Sequence, residues 1–144
     1  MAAQSTARTA WEGDLAHGSG TTTPDSGAFP AVEVTWASRT SRAAGKTSPE
    51  ELLAAAHASC FCMALSHELA GADTPPERLD ATATVEFEPG EGVRSSRIAV
   101  RGRVAGIDQE AFSEAARGAG EGCPISGALK GNIQIEVEAT LESA

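Results

Sequence analysis

The most specific chemistry in this chain is carried by two cysteines on separate stretches. Cys60 lies in the apolar run Ser48-Pro49-Glu50-Glu51-Leu52-Leu53-Ala54-Ala55-Ala56-His57-Ala58-Ser59-Cys60-Phe61-Cys62-Met63-Ala64-Leu65-Ser66, and Cys123 opens a Cys-Pro turn far downstream. A thiol that a distant thiol can meet has the layout of a redox site: one sulfur is oxidised and the other condenses with it. Cys60 and Cys62 are two apart on a predicted helix, so they point about 200° apart and cannot join without breaking it. Cys60 with Cys123 is the pair that can close. The bland alternative is that all three cysteines are small core hydrophobes, Cys62 above all. A zinc site is disfavoured, because no second pair has metal-ligand spacing and the three histidines are dispersed.

A nucleophilic thiol must ionise, and free cysteine titrates near ~8.5. A nearby cation would help. His57, three residues before Cys60, shares its side of the helix, although a histidine there more commonly serves as a polar spacer. Arginine is the better partner because it stays charged. Arg39 and Arg42 precede the helix, and their alternative role is solvated loop charge. Glu50 and Glu51 complement the positive end of the helix dipole. Glu50 stands about 15 Å along the helix from Cys60, too far to act on it within one helix. Two such helices packed antiparallel and crossing near Ala55 would bring Glu50 of one copy beside Cys60 of the other, which points to a dimer.

Several elements must position these residues. Ser48 is the expected N-cap of the long helix, Pro49 its first residue, Glu51 the partner in a capping box and Gly71 the left-handed cap at its end. Being apolar nearly all round, the helix should be buried on most sides, by a curved sheet or a partner subunit. Strands are expected over Arg8–Glu12, Ala31–Trp36, Ala81–Phe87, Arg97–Val104 and Asn132–Leu141, with Gly13–Gly27 as turns. Asp108 caps a second helix burying Ala111, Phe112, Ala115 and Ala116, and Cys123-Pro124 opens a short helical turn through Leu129. Strands broken by two helices read as α+β.

The composition agrees with one globular domain over residues 1–144, with 41% apolar residues. A net charge of −9 with scattered basic residues argues against binding nucleic acid or an anionic membrane surface. The first residues lead into polar sequence without an apolar signal region, and the longest apolar run, within 52–65, is read as too short to span a membrane. A cytoplasmic location is therefore expected, where cysteines serve catalysis, metals or packing rather than structural disulfides.

The helix motif from Ser48 to Leu65 resembles the central-helix motif of the OsmC family, and Gly122-Cys123-Pro124-Ile125-Ser126-Gly127-Ala128-Leu129-Lys130 resembles its second cysteine motif. Trp11-Glu12-Gly13-Asp14 and Gly106-Ile107-Asp108 fit as well, so the resemblance covers nearly the whole chain. It is closer to the OsmC branch than to the organic-hydroperoxide-resistance (Ohr) branch, where tyrosine commonly occupies the place of His57. The resemblance implies an OsmC-like fold, with antiparallel sheets around a long central helix in an intertwined homodimer. It implies a cysteine peroxidase that reduces organic hydroperoxides, and hydrogen peroxide more weakly, without metal or cofactor. Cys60 matches the peroxidatic cysteine, Cys123 the resolving cysteine and Glu50 the active-site glutamate. The family arginine maps to Arg39, after Trp36-Ala37-Ser38. Arg42 stands as a rival, because the loop to Pro49 is slightly longer than usual. Cys62 departs from the family pattern. Only the resemblance orders the two thiols, since Cys123 at a helix start has its own reason for a lowered pKa. The implied reductant is an external dithiol of lipoyl type. A non-enzymatic redox sensor or ligand-binding protein using the same disulfide is the alternative.

Overall fold

A computed structural model describes residues 2–42 and 44–142. Met1, Ala43, Ser143 and Ala144, which belong to the single domain expected over 1–144, lie outside the described residues. The chain divides into two compact units, Met1–Leu52 and Leu53–Ala144.

The first unit holds a three-stranded antiparallel sheet of β1 (Ala7–Glu12), β2 (Ser19–Pro24) and β3 (Val32–Val34), in that order. β2 corrects the expectation of turns over Gly13–Gly27. Gly13 and Gly27 do turn with positive φ, but the run Thr21–Thr23 between them is β-branched and pairs well in a sheet. Gly20 belongs to the strand, where it lies opposite Trp11. A Cβ there would come within 2.8 Å of both the Ala10 carbonyl and the Trp11 ring, so the glycine permits the close pairing.

The strand expected through Trp36 ends at Val34, and a short helix α1 (Trp36–Ser41) follows. The reason is a capping box. The Thr35 hydroxyl accepts from the Ser38 amide at 3.0 Å, and the Ser38 hydroxyl accepts from the Thr35 amide at 2.9 Å. These bonds turn the chain while Val32, Val34 and Trp36 still alternate like a strand. The buried Ser38 hydroxyl also lies 2.8 Å from the Thr47 carbonyl, and the Thr47 amide donates to Glu33, which ties the following loop to β3.

The long helix α2 (Pro49–Gly71) begins as expected, with the Ser48 hydroxyl accepting from the Glu51 amide at 3.0 Å. The capping box is only half made, because the Glu51 carboxylate accepts instead from the Thr47 hydroxyl at 2.7 Å. The left-handed residue that ends α2 is Asp73 (φ 61) and not Gly71. The Thr74 amide reaches back to the Leu69 carbonyl and the Asp73 amide to that of Ala70, the paired bonds of a Schellman motif. Within the single chain α2 is buried along one side only. One stripe, His57, Phe61, Leu65 and Leu69, is buried, while Ala55, Ser59 and Met63 on the other side are exposed in the single chain. By length and composition α2 is apolar enough to cross a membrane, contrary to the reading of its apolar run, but its buried stripe is part of the protein core.

The second unit carries β4 (Arg78–Glu88), β5 (Gly92–Arg103), α3 (Gln109–Gly122), α4 (Pro124–Leu129) and β6 (Gln134–Leu141). β4 pairs antiparallel with β5, but β6 lies parallel to β5, which corrects the expectation of purely antiparallel sheets. A parallel return needs a long crossover, and α3 with α4 provides it. The inner residues of β5, Ser96, Ile98, Val100 and Gly102, are all buried. A Cβ on Gly102 would meet the Phe112 ring at 2.5 Å, so this glycine makes room for the largest core residue of α3. Asp108 caps α3 through the Ala111 amide at 2.9 Å. The buried residues of α3 are Phe112, Ala116 and Ala119, while Ala111, expected inside, is exposed. The whole is an α+β fold.

Candidate active site

Within the second unit, the α2 stripe and the α3–α4 junction bring two thiols together. Cys60 is half-buried beside Phe61, and Cys123 is buried in the same core cluster. Cys123 is both the last cap of α3, where its amide donates to the Ala119 carbonyl at 2.8 Å, and the residue before Pro124 at the start of α4. Proline at the first helical position fixes that start. Cys60 packs against the buried cluster that holds Cys123, close enough for each thiol to influence the other's ionisation, and both are free thiols.

Their surroundings differ. Burial pushes the Cys60 thiol up; the Ile125 amide opposes this, while the neighbouring Cys123 adds to the rise. Burial also pushes Cys123 up, but the Ser126 amide, the Cys60 thiol, the Ser126 hydroxyl and the Ile125 amide together bring it below its ordinary value. The Cys123 sulfur makes no strict capping hydrogen bond to α4, yet these groups lie close enough to stabilise its charge. The two thiols are thus pushed in opposite directions, and the cause is positional. A mid-helix thiol has no first-turn amides of its own helix to turn to. Cys62 is also half-buried and pushed up, by burial and then by Asp80.

His57 is fully buried, one turn before Phe61 on the core stripe of α2. Its Nδ1 lies 2.6 Å from the Ser96 hydroxyl of β5, and its Nε2 2.8 Å from the Ser126 hydroxyl of α4. Burial holds its pKa below the ordinary 6.5, so the ring is neutral at neutral pH. Far from being a spacer, it joins two buried serines, one of them in the first turn of the helix that Cys123 caps. Neither serine was singled out by the sequence reading. A signal for Ser96 was available: a hydroxyl at the inward register of Ser96, Ile98, Val100 and Gly102 needs a partner.

Arg39 and Glu50 meet within the first unit. Arg39 Nε donates to Glu50 Oε1 at 2.9 Å and Nη2 to Oε2 at 2.9 Å, a two-pronged grip that fixes the guanidinium plane. The Arg39 side chain is 30% exposed and that of Glu50 only 7%. The guanidinium also lies over the Trp36 ring, 5.8 Å from its centre. Arg42, the rival, caps α1 in a left-handed conformation (φ 59) with its residue exposed.

The family sequence model for OsmC-like proteins matches residues 42–138. The chain is 38% identical over 131 residues to Peroxiredoxin OsmC of Escherichia coli, covering 89% of this chain and 91% of that protein. Among solved structures, it superposes on the organic hydroperoxide resistance protein OhrB of Bacillus subtilis with a TM-score of 0.63 and 25% identity, over 95% of this chain and 98% of that one. The OsmC protein of Legionella pneumophila shares the fold at a TM-score of 0.69 and 23% identity, over 96% and 99% of the two chains. Two cysteine motifs, the fold and the match over most of the length agree: this chain belongs to the OsmC family.

Proposed function

We propose that this protein is a thiol peroxidase that reduces organic hydroperoxides to alcohols, and hydrogen peroxide more weakly. The peroxidase class follows from family membership and from the E. coli relative named a peroxiredoxin. The observation that carries the finer reading is that Cys60 of α2 packs against the cluster holding Cys123 of the α3–α4 junction, two thiols on different elements. Cys60 attacks the distal peroxide oxygen, the O–O bond breaks, an alcohol leaves and Cys60 becomes a sulfenic acid. Cys123 condenses with it to a disulfide and water, and an external dithiol, of lipoyl type, returns both to thiols.

In this reading Arg39 is the cation that makes Cys60 the thiolate. Glu50 positions Arg39 through the two-pronged bond. The working form is a homodimer in the cytoplasm. The exposed face of α2, with Met63 74% exposed, supports a second copy as its cover. The family match across both compact units supports reading them as one OsmC-like domain.

The test is steady-state consumption of an organic hydroperoxide with dihydrolipoamide, beside Cys60→Ser. Many turnovers that vanish in the variant are expected. A single stoichiometric oxidation without turnover would make the protein a redox sensor. Cysteines that remain reduced under peroxide would end the redox reading altogether.

A further inference from the structure

The buried groups around Cys123 form a connected series. Ser96 Oγ lies 2.6 Å from His57 Nδ1, His57 Nε2 lies 2.8 Å from Ser126 Oγ, and Ser126 stands in the first turn of α4, the helix that Cys123 caps. All four residues are buried. The peroxide-attack step uses none of these partners. A core that needed only packing would fill His57, Ser96 and Ser126 with apolar side chains, because each buried polar group must keep its partner or cost stability.

The geometry points to a proton relay, Cys123 to Ser126 to His57, that serves disulfide closure. This inference rests on the proposed disulfide chemistry and adds residues to its second step. When the Cys123 sulfur attacks the Cys60 sulfenic acid, an S–S bond forms and the S–O bond breaks. The Cys123 sulfur is oxidised and the Cys60 sulfur reduced. The Cys123 proton passes to Ser126 Oγ as the Ser126 proton passes to His57 Nε2. The hydroxide leaving Cys60 takes up the equivalent proton by way of solvent, so the products are one disulfide and one water.

Ser126, in the first turn of the helix that Cys123 opens, is the hydroxyl placed to take the sulfur's proton. His57 acts through Ser126 and is a positioning and proton-holding residue. In the receptive tautomer Nδ1–H donates to Ser96 Oγ, which leaves Nε2 open to the serine proton. A neutral, desolvated imidazole is a weak base, but the sulfur that has begun to form the disulfide is a far stronger acid than the free thiol. The histidine then gives the proton up readily, which suits a relay.

The experiment is single turnover of the reduced protein with one equivalent of cumene hydroperoxide. Sulfenic acid is trapped with dimedone, and both it and the Cys60–Cys123 disulfide are followed by mass spectrometry. Ser126→Ala and His57→Gln should slow disulfide closure about 10- to 100-fold, the range of general acid–base assistance, and at least ten times more than they slow sulfenic acid formation. Closure in the unsubstituted protein should show a solvent deuterium isotope effect that both variants lose. Ser96→Ala should give an intermediate slowing. If His57→Gln fails to fold, Ser126→Ala, which removes one oxygen atom, decides alone. Closure at the unsubstituted rate in Ser126→Ala overturns the relay, and so does equal slowing of both steps. If the unsubstituted protein forms no Cys60–Cys123 disulfide, the reading under Proposed function fails and takes the relay with it.

Discussion

The candidate cluster of the first unit is a charged pair, and that of the second is a set of neutral groups. Arg39 and Glu50 meet as a full ion pair, with the arginine partly exposed and the carboxylate buried. His57 is hydrogen-bonded to Ser96 and Ser126, and the two thiols belong to the same buried region. Dielectric explains the difference. A carboxylate can be buried when an arginine grips it with two bonds and keeps one side in water. In the second unit desolvation pushes Cys60 up and His57 down, each away from its charged form. A sulfur held there is stable while idle and reactive only when charge is delivered to it. Under the proposed mechanism the two clusters have separate duties: the ion pair serves the first step and the neutral series the second.

The strongest way to break this division is to remove the sulfur. Cys60→Ser should lower hydroperoxide turnover by at least about 10³-fold, to the level without enzyme. Cys123→Ser should still form one sulfenic acid per chain, seen as a dimedone adduct, and then stop. A Cys60→Ser protein that still turns over would move the first attack to Cys123, the thiol held below its ordinary pKa.

The next largest effect tests the charged cluster. Arg39→Ala should slow sulfenic acid formation by roughly 10²-fold, the usual loss for a stabilised anion. Glu50→Ala should fall between Arg39→Ala and the unsubstituted protein, and Arg42→Ala should remain within about twofold. Arg39→Ala also leaves Glu50 buried without this partner, which destabilises the fold. Arg39→Ala with Glu50→Gln should therefore recover thermal stability without recovering rate. Recovery of both would reduce the ion pair to a structural role.

A smaller effect concerns the neutral series and pH. The folded-state pKa of His57 lies below its ordinary 6.5, so the unfolded chain binds the extra proton first as pH falls. The stability due to neutral His57 is fully present above about 6.5 and is lost as pH drops toward the folded value, by at most about 1.4 kcal/mol per pH unit. Urea unfolding of the unsubstituted protein and His57→Gln between pH 7.5 and 5 should give curves that converge on acidification. Parallel curves would mean that His57 titrates alike in the folded and unfolded chain, against the lowered folded value.

The smallest effect belongs to Cys62. Cys62→Ala should change peroxide turnover by less than about twofold, and peptide mapping should find Cys62 reduced after one equivalent of hydroperoxide. A Cys62 disulfide as the main product would merge the two flanks of α2 into one site.

What could be read from the chain depended on how local the cause was. The start of α2 was legible because Ser48, Pro49 and Glu51 act within one turn, and β4, β5 and α3 because their apolar periods are long. β2 was hidden because Thr-rich, Gly-flanked sequence suits strands and turns alike, and α1 because Val32, Val34 and Trp36 kept the strand period past the Thr35 cap. The parallel placement of β6 depends on a crossover that no local pattern reports. For the site, thiol chemistry and two separate elements were enough to single out Cys60 and Cys123. The setting of His57 was not legible, because its serines lie 39 and 69 residues away in sequence.

The exposed face of α2 also has a chemical consequence. Met63 presents its thioether there, 74% exposed in the single chain. A thioether reached by peroxide becomes a sulfoxide, polar and poorly suited to any close helix contact. A member of a peroxidase family thus carries an oxidisable atom on the surface that, in the proposed homodimer, a second copy would cover. Pairing would shield it, and dissociation would expose it to the very reagent the protein consumes. Oxidation of Met63 would then act as a record of time spent alone, and it would bias the damaged chain against pairing again.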